Sequence, residues 1–205
     1  MSLRENIVAQ FKQPRGLLGA AAGWIMANRA SNKARNRWTV DLLDLRPDDR
    51  VLEIGCGPGL ALSHCAHTIV TGHIVGIDHS EVMIAQAARR NTHALQRGAL
   101  DLRVGGLELL HGMQGERFSK VLNINVAQFF ADRVEAFRAI GAVMSAGGVI
   151  ATTHQPRRAG ATQADALAMS DKLVAALLAA GFAAPRTELL PLLPVPAICI
   201  LARRP

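Results

Sequence analysis

Short apolar runs alternate with helical segments along most of this chain, and this alternation limits the fold more than any other feature. From Arg46 onward, the strand-like runs are VLEIG, HIVGID, LDLRVGG, FSKVLNINV and VIATTH. Strands joined by helices require crossovers and therefore pair in parallel. Two further runs, RTELLPLLP and AICILARR, are joined too tightly for a crossover. The pattern predicts a doubly wound α/β fold with a mostly parallel seven-stranded sheet and an antiparallel last strand.

Local signals also predict the helix boundaries. Helices are expected over about 60–68 and about 162–180, the second ending at Gly181, because glycine readily adopts the left-handed conformation that follows a helix. Ser80 is a suitable N-cap for the helical run SEVMIAQAARRNTHALQ. A further helix, RVEAFRAIGAVMSAGG, is expected to close at its own glycines. Ligands of such sheets bind beyond the carboxyl ends of the strands, where VLEIG ends.

The beginning of the chain differs from the rest and is interpreted as a helical N-terminal cap or lid, residues 1–45, over a domain of residues 46–205. Its apolar run GLLGAAAGWIMA, at 16–27, is too short to span a bilayer. Three roles stay open for this run: it can cap a pocket, rest on a membrane surface, or pack as core.

Charge and cysteine content bear on partners and location. The 205 residues carry a formal net charge of +7, but the arginines are spread in small clusters and Tyr is absent. Spread charge is typical of solvated helix faces, and few rings can stack on unpaired bases, so no nucleic-acid partner is expected. Three cysteines without CxxC spacing predict no disulfide framework and no metal site. A cytoplasmic location is expected.

A glycine-rich loop follows the first strand, in the stretch VLEIGCGPGLAL. Gly55, Gly57 and Gly59 permit positive φ angles and close approach of a ligand. Their spacing is shorter than the G-x-G-x-x-G of dinucleotide sites, and Pro58 removes an N–H that a pyrophosphate would use. Glu53 would repel a phosphate at contact distance by about 1–4 kcal/mol. The loop therefore favours a nucleoside whose nearest groups are positively charged.

An acidic residue suited to a ribose ends the second strand. Asp78 lies about 20 residues beyond the glycines, where a carboxylate accepts hydrogen bonds from ribose hydroxyls. S-adenosylmethionine combines a ribose with a sulfonium and an ammonium group, so its amino-acid end is net positive. The loop GGLELL, after the third strand, is expected along the adenine edge.

These residues together resemble the class I S-adenosylmethionine-dependent methyltransferases. The matching segments are LEIGCGPG, GIDHS, VGGLELL, FSKVLNINVAQFF and MSAGGVIATTH. The resemblance is specific from Val51 to His154 and looser from there to Pro205. It implies a Rossmann-like fold, S-adenosylmethionine as cofactor with S-adenosylhomocysteine as product, and methyl transfer as the reaction.

The resemblance also implies binding roles by position. The glycine loop and the acid before it would surround the methionine moiety, and the residues that follow the next three strands would hold the nucleoside and line the cleft. The implied cofactor-binding residues are Glu53, Gly55, Cys56, Gly57, Gly59, Asp78, His79, Gly106, Leu107, Asn123 and Asn125. Many family members have an Asp where Gly106 stands. The adenine amine is therefore left to the backbone N–H of Leu107 or to Glu108.

The acceptor is expected to be a small organic molecule, quinone-like, lipid-like or a secondary metabolite. The run NINVAQFF lacks the Pro-Pro-aromatic segment of the family's base-amine enzymes and the metal-binding carboxylates of its catechol enzymes. His154 is the candidate catalytic base, since it ends the fifth strand. Possible apolar walls are Trp24, Met26, Phe129 and Phe130, and Arg157 and Arg158 could attract an acidic group.

Three alternatives stay open beside this interpretation. A nicotinamide-dependent oxidoreductase is disfavoured by Pro58 and the short glycine spacing. A nucleic-acid methyltransferase or binding protein is suggested only by the net positive charge of the chain. A regulatory protein could keep the fold without turnover.

Overall fold

The computed structural model describes residues 30–205. The apolar run at 16–27, with the predicted walls Trp24 and Met26, lies outside the described residues. None of the helices within 30–205 has both the length and the apolar character needed to cross a bilayer.

Strands and helices alternate as the pattern predicts. The strands are β1 (Arg50–Ile54), β2 (His73–Asp78), β3 (Leu100–Val104), β4 (Phe118–Ile124), β5 (Met144–His154), β6 (Ala183–Leu190) and β7 (Ala197–Arg203). The described helices are α1 (Ala30–Leu42), α2 (Leu60–Thr68), α3 (Glu81–Arg90), α4 (Thr92–Gln96), α5 (Arg133–Val143) and α6 (Gln163–Ala179). Ser80 caps α3 by accepting a hydrogen bond from the Met83 N–H, as its sequence position predicts.

The seven strands form one sheet in the order β3-β2-β1-β4-β5-β7-β6. Strands β1 to β5 pair in parallel, whereas β7 is antiparallel to both β5 and β6. The predicted mostly parallel, doubly wound sheet with an antiparallel last strand is therefore confirmed. The strand order reverses between β1 and β4, so their carboxyl ends mark the ligand-binding edge.

Both faces of the sheet are covered. Helices α5 and α6 pack on one face, and α1 and α2 pack on the other, where Val40 and Leu43 join Leu62 in the core. The Thr39 hydroxyl of α1 lies 2.7 Å from the Thr153 hydroxyl of β5. Helix α1 therefore packs directly on the sheet, and the boundary between residues 45 and 46 stays a prediction.

The end predicted for the helix in RVEAFRAIGAVMSAGG is wrong. Helix α5 ends at Val143 and β5 already begins at Met144, so Gly147 and Gly148 lie inside a strand. Val143 and Met144 are fully buried, and the β4–β5 register shifts beside this segment. Gly147, with a φ of 73°, belongs to this irregular strand and not to a helix terminus.

Candidate functional site

The glycine loop leaves β1 at the point where the strand order reverses. The N–H groups of Gly55 and Cys56 both donate to the Ile77 carbonyl, at 2.8 and 3.0 Å, which holds the start of the loop against β2. Gly57 has a φ of 52°, and an added Cβ there would meet no atom within 4 Å. At Gly59 an added Cβ would lie 2.9 Å from the Cα of Ala87 in α3. Gly57 therefore borders open space, while Gly59 permits close helix packing.

Asp78 fixes this loop to the end of β2. Its Oδ2 accepts the Gly57 N–H at 2.8 Å and its Oδ1 accepts the Ser80 N–H at 2.9 Å. The side chain is buried. Each carboxylate oxygen still has a second lone pair, so Asp78 can accept further hydrogen bonds from a ligand.

Glu53 lies on the buried side of the loop, beneath the start of α2. Only 2% of the residue is exposed, and its Oε2 has no hydrogen-bond partner within residues 30–205. Burial, and then the charge of Asp78, raise the pKa of Glu53 well above its ordinary value, while the Leu62 N–H that bonds to the carboxyl opposes this change. A buried carboxyl with an unsatisfied oxygen is suited to a nearby cationic group.

Cys56 and His79 flank these acids. Burial, followed by the charges of Glu53 and Asp78, raises the pKa of the Cys56 thiol well above its ordinary value, so the thiol stays protonated and is no nucleophile. His79 is half exposed, with its Nδ1 3.8 Å from Asp78 Oδ1. Cys56 lies in the loop and His79 directly follows Asp78; their contacts with the methionine moiety and the adenine face stay predictions.

The segment after β3 brings the predicted adenine-side residues together. The Gly105 N–H donates to the Asp78 carbonyl at 2.9 Å, which ties this segment to β2. The Gly106 N–H donates to Glu108 Oε1 at 2.6 Å, and this bond, first among its causes, lowers the pKa of Glu108. Leu107 begins a 3₁₀ segment, Leu107–Met113. Glu108 therefore stands beside Gly106, where many family members have an Asp.

The two asparagines at the end of β4 have different surroundings. Asn123 is fully buried on the α5–α6 face, where its Nδ2 donates to Thr152 Oγ1 at 3.1 Å. Its Oδ1 has no hydrogen-bond partner within residues 30–205. Asn125, with a φ of 58°, binds the Gln155 N–H through Oδ1 at 2.7 Å and thereby joins the ends of β4 and β5.

His154 ends β5 beside a cavity of about 550 Å³. Its ring is buried, and burial, then the charges of Arg35 and Arg133, lower the pKa of His154 to about 4. The imidazole is therefore neutral near pH 7. Apolar walls of the cavity come from Phe129, Pro156, Ala168 and Met169.

Arg35 of α1, to which the sequence analysis assigns no role, contacts Gln155, the residue that follows His154. Arg35 is 3% exposed and donates to Gln155 Oε1 and Asn32 Oδ1. Burial, then the charge of Arg157, lower the pKa of Arg35 to about 9. A usable signal exists in the sequence: the polar residues Asn32, Arg35, Asn36 and Thr39 share one helical stripe, and all four are buried.

A cavity of about 360 Å³ lies at the opposite edge of the sheet, where it is lined by Arg138, Phe182 and Arg204. Within residues 30–205, His, Cys, Asp and Glu side chains form no group of three that could hold a metal ion.

Comparison with known proteins agrees with this geometry. Residues 52–150 match the Methyltransferase domain family. The uncharacterized methyltransferase YdaC of Bacillus subtilis (strain 168) is 30% identical over 184 residues, which cover 90% of this chain and 98% of YdaC.

Solved structures show the same fold at lower identity. The [4+2]-cyclase SpnF is 18% identical with a TM-score of 0.65, covering 87% of this chain and 85% of SpnF. An enzyme structure described for the conversion of a disulfide into a thioacetal in echinomycin biosynthesis is 24% identical with a TM-score of 0.60, covering 82% and 80%. The domain match and the nearly full-length relative show that this chain belongs to the class I S-adenosylmethionine-dependent methyltransferases, and is an enzyme of that family.

Proposed function

We propose that this protein transfers a methyl group from S-adenosylmethionine to a small organic acceptor held in the cavity beside His154. When bound, S-adenosylmethionine supplies an activated methyl group, whose bond to sulfur breaks as a bond to the acceptor forms. The unsatisfied oxygen of the buried Glu53 beside the glycine loop is the observation that carries the proposal. The family match supports it.

The residues around the loop fit the amino-acid end and ribose of this cofactor. Gly57 leaves room for close approach, because its missing Cβ faces open space. Asp78 retains acceptor capacity for ribose hydroxyls, and Glu53 places a carboxyl where an ammonium or sulfonium would favour its ionised form. A pyrophosphate would face both acids, so the nicotinamide alternative is electrostatically disfavoured.

His154 would act as the general base and take the proton that the substrate loses when it is methylated. Its lowered pKa keeps the ring neutral at physiological pH, which a general base requires. The apolar walls at Phe129 and Met169 suit a quinone-like, lipid-like or secondary-metabolite body and would help to exclude water. This proposal places the protein in the cytoplasm, where the cofactor is expected.

Titration calorimetry tests the cofactor assignment. S-adenosylmethionine and S-adenosylhomocysteine are expected to bind, and NAD and NADP are not. Replacing Asp78 with Asn should weaken binding of S-adenosylhomocysteine about 10–100-fold, because charge-assisted hydrogen bonds are worth about 1.5–3 kcal/mol. Binding of NADP without binding of either adenosyl compound would overturn the proposal.

A labelled methyl group tests turnover. Purified protein with methyl-labelled S-adenosylmethionine and a panel of small organic acceptors should transfer label to at least one of them. Transfer only to RNA or DNA would favour the nucleic-acid alternative. Cofactor binding with no transfer to any compound would favour the regulatory one.

A further inference from the structure

Arg35 is a buried cation whose described partners are all neutral. Its guanidinium donates to the side-chain oxygens of Gln155 and Asn32, and its Nε has no hydrogen-bond partner among residues 30–205. Within residues 30–205, no carboxylate forms an ion pair with it. Burying a charge is costly unless a counter-charge compensates it. Within residues 30–205 the fold therefore carries a buried positive charge without an ion-pair partner, in contact with Gln155, which follows His154 in the chain.

Other cations surround the same point. Arg157 donates through Nη2 to Asn32 Oδ1 at 3.4 Å, so it shares with Arg35 a single neutral oxygen. Burial is the main cause of the lowered pKa of both Arg35 and His154; the charge of Arg157 lowers the pKa of Arg35 further, and the charges of Arg35 and Arg133 lower that of His154. An anion placed among these groups would oppose the charge contributions and favour the protonated forms.

The cavity itself combines positive charge with apolar surface. Arg157, Arg158 and Lys172 line it, and Arg158 forms an ion pair with Asp165 at 2.5 Å. Phe129 and Met169 form the apolar part of the wall, and Phe129 is 57% exposed. Gln155, which binds Arg35, lies in the chain between His154 and Pro156 of the lining.

From this arrangement we infer that the acceptor is an organic acid with an apolar body, its carboxylate held by Arg35 and Arg157 and its body placed against Phe129 and Met169. The inference rests on the proposed function, because it assigns the substrate class of that same site. A bound carboxylate supplies the counter-charge that Arg35 lacks within the described residues. It also raises the pKa of His154, since it lies near that ring.

Matched probes that differ only in charge test the inference. The enzyme saturated with S-adenosylhomocysteine is titrated with 2-naphthoate and 2-naphthamide, and with a shorter pair, benzoate and benzamide. Each acid is expected to bind about tenfold or more tightly than its amide, and the preference should shrink as salt increases. An NMR titration should show the His154 pKa rising when the acid is bound.

Variants locate the effect. Arg35→Gln should abolish the preference for acid over amide, and Arg157→Gln, at an exposed position, should reduce it without the risk of unfolding the core. Arg138→Gln is the matched control, because Arg138 lines the cavity at the opposite edge of the sheet. It should leave the preference unchanged.

Two failures are distinguishable. If S-adenosylhomocysteine does not bind, the proposed function fails first. If it binds and the acids show no preference over the amides, or no acid binds, the inference about the acceptor is overturned while the cofactor assignment stands. A preference that survives unchanged in both Arg35→Gln and Arg157→Gln would also overturn it.

Discussion

The carboxyl edge of the sheet has two halves of opposite charge. At the ends of β1 and β2 the buried ionisable side chains are the acids Glu53 and Asp78, whereas beside β5 the buried groups are Arg35 and His154. Strands β1 and β5 are separated only by β4, so the two halves lie about 10 Å apart. Under the proposed assignments, the acidic half would bind the positively charged methyl donor and the basic half an anionic acceptor, at separate places on the same edge.

The two halves also differ in how the chain builds them. The acidic half comes from one continuous strand-loop-helix-strand segment, in which Asp78 binds the Gly57 N–H over 21 residues. The basic half joins helix α1 to the end of β5, and the Arg35–Gln155 contact spans 120 residues. Local sequence therefore specifies the acidic half, while the basic half depends on the complete fold.

The largest expected effect comes from filling the open space of the acidic half. Gly57→Ala should weaken S-adenosylhomocysteine binding by about 100-fold, or about 2.7 kcal/mol, because its Cβ would occupy the space that the ligand needs. Calorimetry measures the loss. Binding of the naphthoate probe at the basic half should change far less.

A matched glycine separates this effect from backbone strain. Gly98 also has a positive φ, 69°, and open space around an added Cβ, but it lies before β3 at the opposite edge. Gly98→Ala should lower stability by about 1–2 kcal/mol, like Gly57→Ala, and leave cofactor affinity unchanged. Equal loss of affinity in both variants would show that strain, and not occupation of the site, is responsible.

The second largest effect is expected at Glu53, where Glu53→Gln should weaken binding of S-adenosylhomocysteine about tenfold. Glu53→Gln keeps the acceptor oxygen for the Leu62 N–H but removes the charge that attracts a cation. Because the folded protein raises the pKa of Glu53, the wild type loses stability as the pH rises above about 4.5, the ordinary value. The variant lacks this loss, so it should melt about 2–4 °C higher at pH 7.5 for a gain of about 1 kcal/mol.

The pH series provides the control. The difference in melting temperature between Glu53→Gln and wild type should grow from pH 4.5 to pH 7.5. Glu135→Gln, at an exposed site in α5, measures the effect of the same substitution away from the buried carboxyl. A variant that is less stable than wild type at pH 7.5 would mean that Glu53 is stabilised as a carboxylate.

The third effect tests the basic half through His154. Its folded pKa is lowered to about 4, so the unfolded chain binds an extra proton between pH 6.5 and pH 4. The wild type should therefore lose stability as the pH falls through this window, and between pH 7 and pH 5.5 His154→Gln should lose about 1 kcal/mol less. Chemical denaturation at pH 7 and pH 5.5 measures the difference, and identical pH dependence would show that the folded protein does not lower the pKa of His154.

The sequence predicted the two halves unequally for physical reasons. Glycines at 55, 57 and 59, the cap Ser80 and the strand-ending Asp78 act on near neighbours, so their placement follows from local patterns. The end of α5 was missed because the burial of Val143 and Met144 overrides the glycines that follow. Arg35 was missed because a polar helical stripe ordinarily faces solvent, and the partner that Arg35 binds, Gln155, lies 120 residues away.

The smallest effect should appear at the adenine end of the acidic half. Glu108 is exposed and its Oε1 binds the Gly106 N–H, a contact that the amide oxygen of Gln can also make. If Glu108 only holds this turn, Glu108→Gln should change the affinity for S-adenosylhomocysteine by less than about threefold, or about 0.7 kcal/mol. A larger loss, with the affinity for the ribose-free fragment homocysteine unchanged, would show that Glu108 accepts from the adenine amine. The acidic half would then reach from the methionine end of the cofactor to its adenine. It would contain a third acid besides Glu53 and Asp78, and its contrast in charge with the basic half at β5 would be greater.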